Sequence, residues 1–183
     1  MKVSGKIQPP GDKSITHRAL IYAALAKGKS VITGALASED ARSSASVLRS
    51  LGVGVSPLKA GQPVTVVGKR WAQPKQTLDC GNSGTTTRLI LGALAGHAFK
   101  ARLTGDASLR RRPMRRVTGP LSQMGARFEE EGGDGLPLTI RGGKLVPLDF
   151  DSPTGSAQVK GALMLAGLTG GVRVTITEPA RSR

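Results

Sequence analysis

Three stretches of the chain repeat one pattern of apolar and polar positions. They are residues 13–33, 82–104 and 155–175. Each begins at a turn, carries a serine near a predicted helix start, continues through small apolar residues and ends in a β-like segment. The first and third copies align without a gap from Ser14 and Ser156 onward, whereas the second needs small insertions and deletions. An internal repeat of this kind predicts one structural unit used three times.

The helix predicted in each copy is almost free of charge. Residues 19–26 and 161–172 contain no charged side chain, and residues 89–99 contain only His97. A helix that is apolar on all sides is normally buried. We therefore expect three buried helices whose N-terminal ends alone reach solvent.

A second, amphipathic helix and two short strands are predicted after the first and second copies. Ser38 followed by two acidic residues is favoured at a helix start. Pro113 suits a first helical turn, and Gly119-Pro120 is expected to bend or interrupt the helix that follows. The unit is then β-α-β-α-β-β and about 70 residues long.

By this count the chain holds two full units and the front half of a third. We therefore predict an α+β fold of repeated βαβαββ units around buried helices, with the third unit incomplete. The chain ends at "EPARSR", where the next amphipathic helix would begin, and we interpret this as truncation or a split protein. An unclosed repeat leaves apolar surface uncovered.

The composition favours an anion-binding protein of the cytoplasm. The net charge of +15 attracts nucleic acid, acidic lipid, or phosphorylated and carboxylated metabolites. Aromatic residues make up only 3%, which leaves few stacking platforms for single-stranded bases. The single cysteine, Cys80, fits a reducing compartment. We find no signal peptide and no membrane-spanning run, and we expect no metal and no cofactor.

Polar side chains that suit anions gather at the three predicted helix starts. A helix N-terminus presents unpaired N–H groups and about half a positive charge. Three equivalent helices packed in one orientation would bring these ends together as a receptor for phosphate. The residues placed there are Lys13, Ser14, Arg18, Asn82, Ser83, Thr85, Arg88, Ser156, Gln158 and Lys160, with Asp12 as the only carboxylate. The alternative is that the serines are plain helix caps and the cations are solvated.

Five arginines lie between Arg110 and Arg116, directly after the second β-like segment. One interpretation is a basic lip that supplies a guanidinium to a carboxylate or phosphate. The other is a solvated basic loop, which we expect for most of the five.

Five ordered motifs give the chain a resemblance to a known family. They are "PGDKSITHRA", "DCGNSGTTTRL", "TGDASLRRRPM", "SPTGSAQVKGALMLAGL" and "TEPARSR". From about residue 3 to its end, the chain resembles the 5-enolpyruvylshikimate-3-phosphate synthases (3-phosphoshikimate 1-carboxyvinyltransferases). The resemblance implies transfer of the enolpyruvyl group of phosphoenolpyruvate to the 5-hydroxyl of shikimate 3-phosphate, with release of phosphate.

The family's fold consists of two similar domains, each with three βαβαββ units, that close over the substrates. The resemblance therefore implies that residues 1–12 are an N-terminal crossover strand and that residues 13–183 are the N-terminal domain. The C-terminal domain is absent from the sequence, and a complementary C-terminal half is an implied partner.

The resemblance also implies the site residues. Shikimate 3-phosphate is assigned to Lys13, Ser14, Arg18, Ser156, Ala157, Gln158 and Arg183. Phosphoenolpyruvate is assigned to Lys13, Asn82, Gly84, Thr85, Arg112 and Gln158. Lys13, between the two anionic substrates, is the candidate catalytic residue. The family's principal carboxylates for proton transfer lie in the second domain, and none of the acids here falls in a matching motif.

Gly84 bears on inhibition by glyphosate. In this family a methyl group at that position crowds the inhibitor, so the glycine predicts that an intact parent enzyme binds glyphosate. The wording of "SAQVK" and "GDASLRRRP" is nevertheless more similar to the bacterial class often called glyphosate-tolerant.

Two hypotheses of different classes remain open. The chain is the N-terminal half of the enzyme and works with a complementary half, or it is a noncatalytic domain that binds shikimate 3-phosphate or other phosphorylated acids. A basic nucleic-acid-binding module is disfavoured by the scarcity of aromatic residues. Such a module would give a salt-dependent shift with random DNA.

Overall fold

A computed structural model describes residues 4–7, 9–131 and 133–179. The helices are α1 (Lys13–Leu25), α2 (Glu39–Ser50), α3 (Gly84–Ala95), α4 (Ala107–Arg110), α5 (Arg115–Gln123) and α6 (Ala157–Gly170). The strands are β1 (Gly28–Ile32), β2 (Gly54–Val55), β3 (Val64–Gly68), β4 (Leu78–Asp79), β5 (Lys100–Thr104), β6 (Arg127–Glu130), β7 (Leu138–Arg141), β8 (Leu148–Asp151) and β9 (Val174–Thr177). The middle unit, from β4 to β7, has the predicted β-α-β-α-β-β order with one additional short helix, α4.

The sheets repeat the same topology. In the first unit β1, β3 and β2 lie side by side and antiparallel, and in the second unit β5, β7 and β6 do the same. β4 pairs in parallel with β5 across α3, and β8 pairs in parallel with β9 across α6. Each parallel pair joined by a helix brings that helix back against its own sheet. The first helix of each unit therefore has an equivalent place in the fold.

α3 is the helix that packs against the most other helices. All of its residues except Thr85 are buried, as the charge-free sequence predicts. α2 packs against both α1 and α3, and α5 packs against both α3 and α6. α6 approaches α3 so closely that a Cβ on Gly92 would lie 2.1 Å from the carbonyl oxygen of Ala162. Glycine is required at this crossing because no side chain fits between the two backbones.

α1 and α6 are only partly buried, so the expectation of three fully buried helices was wrong for these two. Ile15 and Tyr22 on α1 are exposed, as are Met164 and Leu168 on α6. α3 is enclosed by helices, since it packs against α1, α2, α5 and α6, whereas α1 packs against α2 and α3 and α6 packs against α3 and α5. Among the described residues, the faces of α1 and α6 that carry these four side chains stay exposed. This is where the apolar surface expected of an unclosed repeat lies.

α5 continues through Pro120, so of the two outcomes expected at Gly119-Pro120 the interruption was wrong, and the bend stays a prediction. The N–H that proline lacks would have bonded to the carbonyl of Arg116. Arg116 is exposed, and its carbonyl can bind water instead. Beyond the proline the helical bonding resumes, since Met124 N donates to Pro120 O at 3.2 Å.

The segment before α1 lies against the loop after β1. A Cβ on Gly11 would meet Gly34 O at 2.0 Å, which fixes the approach of the two backbones. Residues 4–7 and 9–12 have no strand pairing, so the crossover strand expected in residues 1–12 stays a prediction. Among the described helices, none has the length and hydropathy needed to cross a membrane.

Candidate functional site

The N-termini of α1, α3 and α6 surround a cavity of about 430 Å³. It is lined by Asp12, Ser14, Ile15, Arg18, Thr85, Leu89, Ala157 and Gln158. Five of the residues that the resemblance assigns to substrates are therefore brought together from three separate parts of the sequence. The convergence has a simple cause, because each of these helices occupies the same place in its unit.

Two of the three repeated serines are helix caps. Ser83 is fully buried, and its Oγ accepts a hydrogen bond from Thr86 N at 3.1 Å. Ser156 caps α6 in the same way, with Val159 N at 3.4 Å. α1 is capped by Asp12 instead, while Ser14 lies in the first turn, exposed and facing the cavity. Ser83 is therefore a plain helix cap, which was the alternative to a binding role. Ser156 also caps its helix, in addition to any binding role.

Lys13 lies in the chain between two residues that line the cavity, Asp12 and Ser14, but is not itself among the lining residues, and its side chain forms an ion pair with α2. Its Nζ lies 3.0 Å from Oδ2 of Asp40. One turn further along α1, His17 Nδ1 is 2.7 Å from Ser44 Oγ, which is itself 2.8 Å from Thr86 Oγ1. His17 is fully buried, and this burial lowers its pKa, so the ring is neutral at neutral pH. These bonds fix the start of α1 against α2 and α3.

Arg112 is held beside the start of α3 by a chain of hydrogen bonds. Its Nη2 donates to Asn82 Oδ1 at 2.6 Å, and Asn82 Nδ2 donates to Asp106 Oδ2 at 2.5 Å. Asp106 also caps α4 by accepting from Leu109 N at 2.8 Å. The hydrogen bonds from Leu109 and Asn82 lower the pKa of Asp106, so it is ionised at neutral pH. The carboxylate orients the amide, and the amide orients the guanidinium.

Arg88 is a buried cation below the cavity. It is 4% exposed, and it donates to Gln158 Oε1 at 2.9 Å and to Pro113 O at 3.0 Å. Gln158 Nε2 in turn donates to Thr85 Oγ1 at 3.0 Å. Burial, and then the charges of two other arginines, lower the pKa of Arg88 to about 10, so it remains protonated at neutral pH.

Three carboxylates adjoin the site that the sequence did not place there, so Asp12 is not the only one. Asp40 contacts Lys13, and Asp106 contacts Asn82. Glu178 accepts from Ser156 N at 3.0 Å and from Lys160 Nζ at 2.7 Å. The acids after β5 and β9 recur at nearly the same place in their units, and this recurrence could have indicated them. Each is engaged by a cation, an amide or a backbone N–H.

The remaining predicted residues are Gly84, Arg183 and the five clustered arginines. Gly84 is buried at the start of α3, where a Cβ would lie 3.3 Å from Nη1 of Arg112. Arg183 lies outside the described residues. Of the five clustered arginines, Arg112 joins the site, whereas the other four are exposed: Arg110, Arg111, Arg115 and Arg116. Among the described residues, no three His, Cys, Asp or Glu side chains lie close enough together to hold a metal ion.

The cavity presents hydroxyls, an amide, a guanidinium and helix N-termini, and the carboxylates around it are paired. Such a surface binds anions and discriminates by the positions of its donors. Fold and site together define a domain of βαβαββ units with a cavity whose donors suit anions.

Comparisons with known proteins agree with this class. The family model described as EPSP synthase (3-phosphoshikimate 1-carboxyvinyltransferase) matches residues 1–183. The 3-phosphoshikimate 1-carboxyvinyltransferases of Citrifermentans bemidjiense and Parasynechococcus marenigrum are 47% and 50% identical to the chain over 99% of its length. The chain covers 43% and 42% of those relatives. The EPSP synthase structure from Acinetobacter baumannii has a TM-score of 0.91 and 40% identity over 98% of this chain and 41% of that one.

The chain belongs to the EPSP synthase family. It spans less than half the length of the curated relatives that it matches. The predicted α+β fold, as part of the enolpyruvyl transferase fold, is confirmed.

Proposed function

We propose that this chain supplies the N-terminal half of an active site that transfers the enolpyruvyl group of phosphoenolpyruvate to the 5-hydroxyl of shikimate 3-phosphate. The observation that carries the proposal is the meeting of three helix N-termini at one cavity, with Ser14, Arg18 and Gln158 in its lining. A phosphorylated acid placed there would meet N–H groups and a guanidinium together. Membership of the EPSP synthase family supports the same substrates.

The proposed roles follow the positions of the side chains. Ser14 and Arg18 on one side of the cavity, and the N–H of Ala157 on the other, would hold shikimate 3-phosphate. Ser156, which precedes Ala157 and caps α6, would join them. Arg183 stays a proposed ligand of the same substrate. Arg112 would hold phosphoenolpyruvate, since Asn82 orients its guanidinium beside the start of α3.

Phosphoenolpyruvate would also lie close to the first turn of α3, where Gly84 and Thr85 are found. Gln158 would lie between the substrates, because its amide reaches Thr85 from α6. Lys13, next to Ser14 in the chain, would face both anions after giving up part of its contact with Asp40.

The reaction also needs a proton donor for the methylene carbon and a proton acceptor for the substrate hydroxyl. Asp40, Asp106 and Glu178 lie beside the donors, and each is engaged in hydrogen bonds that hold other site residues. Asp12, which lines the cavity, caps α1 by accepting a hydrogen bond from Ile15 N at 2.7 Å. We therefore assign proton transfer to a complementary C-terminal half. This observation favours a second candidate function for the chain alone: binding of shikimate 3-phosphate without turnover.

A cytoplasmic location belongs to the same proposal. Cys80 is a free, buried thiol, which fits a reducing compartment.

Two assays on the purified chain separate the two candidates. Phosphate release from phosphoenolpyruvate, dependent on shikimate 3-phosphate, measures turnover, and calorimetric titration with shikimate 3-phosphate measures binding. We expect binding without turnover, abolished by Arg18→Met and retained by the exposed control Arg111→Met. Turnover by the chain alone would contradict the assignment of proton transfer to another half. Absence of binding would contradict the proposed site.

A further inference from the structure

Arg88 occupies a place that no assigned role explains. Its side chain is buried, it carries a positive charge, and its hydrogen bonds go to Gln158, Pro113 and the carbonyl of Gly84. Its Nε has no partner among the described residues. Burying a cation without a carboxylate partner is costly unless its surroundings provide an anion or a function.

We infer that Arg88 is a positioning residue that joins the two halves of the anion site, linking Gln158 to the loop that carries Arg112. The inference rests on the proposed function, because it concerns the residues that would hold the two substrates. It gives Arg88 a task distinct from that of a ligand: it sets where other donors point.

The amide of Gln158 is bonded at both ends to side chains of α3. Arg88 Nη1 donates to its Oε1 at 2.9 Å, while Thr85 Oγ1 accepts from its Nε2 at 3.0 Å. A guanidinium can only donate, so it requires Oε1 rather than Nε2 on the side of Arg88 and leaves Nε2 on the side of Thr85. Without Arg88, the amide could turn over and present its Nε2 where its Oε1 now lies. Arg88 therefore fixes the donor that the cavity receives from α6.

Arg88 also bonds to the loop before α5. Arg88 Nη2 donates to the carbonyl of Pro113, the residue next to Arg112. Asn82 fixes the guanidinium of Arg112, and Arg88 fixes the backbone from which that side chain extends. One side chain of α3 is thus bonded to both sides of the site.

Gly84 makes this arrangement sterically possible. A Cβ at that position would lie 2.7 Å from Nη1 of Arg88 and 3.3 Å from Nη1 of Arg112. Two guanidinium groups thus approach the same point at the start of α3, where they repel each other. An anion bound beside them relieves that repulsion, so binding at one side of the site strengthens the bridge that orders the other.

The test compares Arg88→Lys with the control Arg111→Lys, which makes the same change at an exposed residue next to Arg112. Lysine keeps the charge but cannot donate to Gln158 and Pro113 with a fixed fork. Titrations with shikimate 3-phosphate, with and without saturating phosphoenolpyruvate, give the coupling factor between the two ligands.

We expect a coupling factor above one for the parent chain and for Arg111→Lys. For Arg88→Lys we expect a factor of one, together with an affinity for shikimate 3-phosphate that is lower by about tenfold. The melting temperature of Arg88→Lys is measured in parallel. An unchanged coupling factor in the folded Arg88→Lys variant would overturn the inference.

A second measurement needs no ligand. In a ¹⁵N-labelled chain the side-chain amide protons of Gln158, assigned by their absence in Gln158→Leu, should exchange with solvent more slowly than those of a solvated glutamine, and Arg88→Lys should speed this exchange. An exchange rate that Arg88→Lys leaves unchanged would overturn the inference. If the parent chain binds neither ligand, the proposed function fails, while this exchange rate still tests the role of Arg88.

Discussion

The crossing of α3 and α6 at Gly92 predicts a large effect from the addition of one methyl group. In Gly92→Ala the new Cβ would lie 2.1 Å from Ala162 O and 2.6 Å from Ala162 C and Cα. These are backbone atoms, so no side-chain rotation relieves the contact. The helices have to separate by about 1 Å to restore van der Waals distances. That separation also widens the cavity that lies between their N-termini.

The expected cost follows from two opposing terms. Overpacking of a close-packed interior costs about 1–3 kcal/mol, and a clash with backbone belongs at the upper end of this range. Alanine regains about 1 kcal/mol over glycine through helix propensity. We therefore expect Gly92→Ala to lower the free energy of unfolding by about 2 kcal/mol.

Gly161→Ala is the matched control at the same interface. Its Cβ would meet a single atom, the Cδ2 of Leu89, at 2.9 Å. Leu89 lines the cavity, so its methyl group can move into open space. We expect the free energy of unfolding of this variant to stay within about 1 kcal/mol of the parent chain.

Urea denaturation followed by circular dichroism measures all three proteins. A Gly92→Ala variant as stable as the parent, or one no less stable than Gly161→Ala, would refute the inferred backbone contact between α3 and α6.

Three further predictions concern pH, the start of α3 and the exposed apolar faces. Burial lowers the pKa of both His17 and His97 from 6.5, so the unfolded chain binds protons first and stability falls as the pH drops below 6.5, by at most about 1.4 kcal/mol per pH unit for each histidine. In urea melts across this range, His17→Asn should show a smaller loss, and an unchanged slope would contradict a neutral, buried His17. Gly84→Ala should weaken binding of phosphoenolpyruvate by about tenfold in calorimetric titration, because its methyl group would displace a guanidinium; in an intact parent enzyme the glycine predicts inhibition by glyphosate, measured by inhibition kinetics. Met164 and Leu168 are 54% and 59% exposed, so replacing both by lysine should reduce self-association in sedimentation velocity, and an unchanged distribution would show that this face does not associate.

The repeat carried most of the fold prediction. A charge-free segment between polar boundaries predicts a buried helix wherever it lies, and α3 fulfils this because it has helices on both sides. α1 and α6 also have apolar sequences, but each packs against fewer helices than α3 does. Their exposure depends on which neighbours are present, and sequence pattern alone does not report this.

The donors of the candidate site were predicted from the sequence, whereas the acidic residues that hold those donors in place were not. Ser14, Arg18 and Gln158 lie at helix starts, and the internal repeat makes these starts recognisable in the sequence. Asp40 and Asp106 lie 27 and 24 residues along the chain from Lys13 and Asn82, so the tertiary arrangement brings each pair together. An acid opposite a basic site also reads as a solvated charge when the sequence is considered alone.

Arg88 illustrates the same limit from the other direction. Its place near a helix start suggested a cation available to a ligand. The structure shows it buried and bonded to Gln158 and Pro113, because α6 and the loop before α5 fold over it. The burial of Arg88 and its hydrogen bonds therefore favour the inferred role of positioning other side chains over direct contact with a substrate.

The central claim is that three helix N-termini of this chain form a site for shikimate 3-phosphate. Backbone amide chemical shifts of the ¹⁵N-labelled chain, followed during titration with shikimate 3-phosphate, test it most directly. We predict saturable shifts concentrated at Ser14, Arg18, Thr85, Ala157 and Gln158. Shifts that do not saturate, or that spread over the exposed arginines after β5, would contradict it.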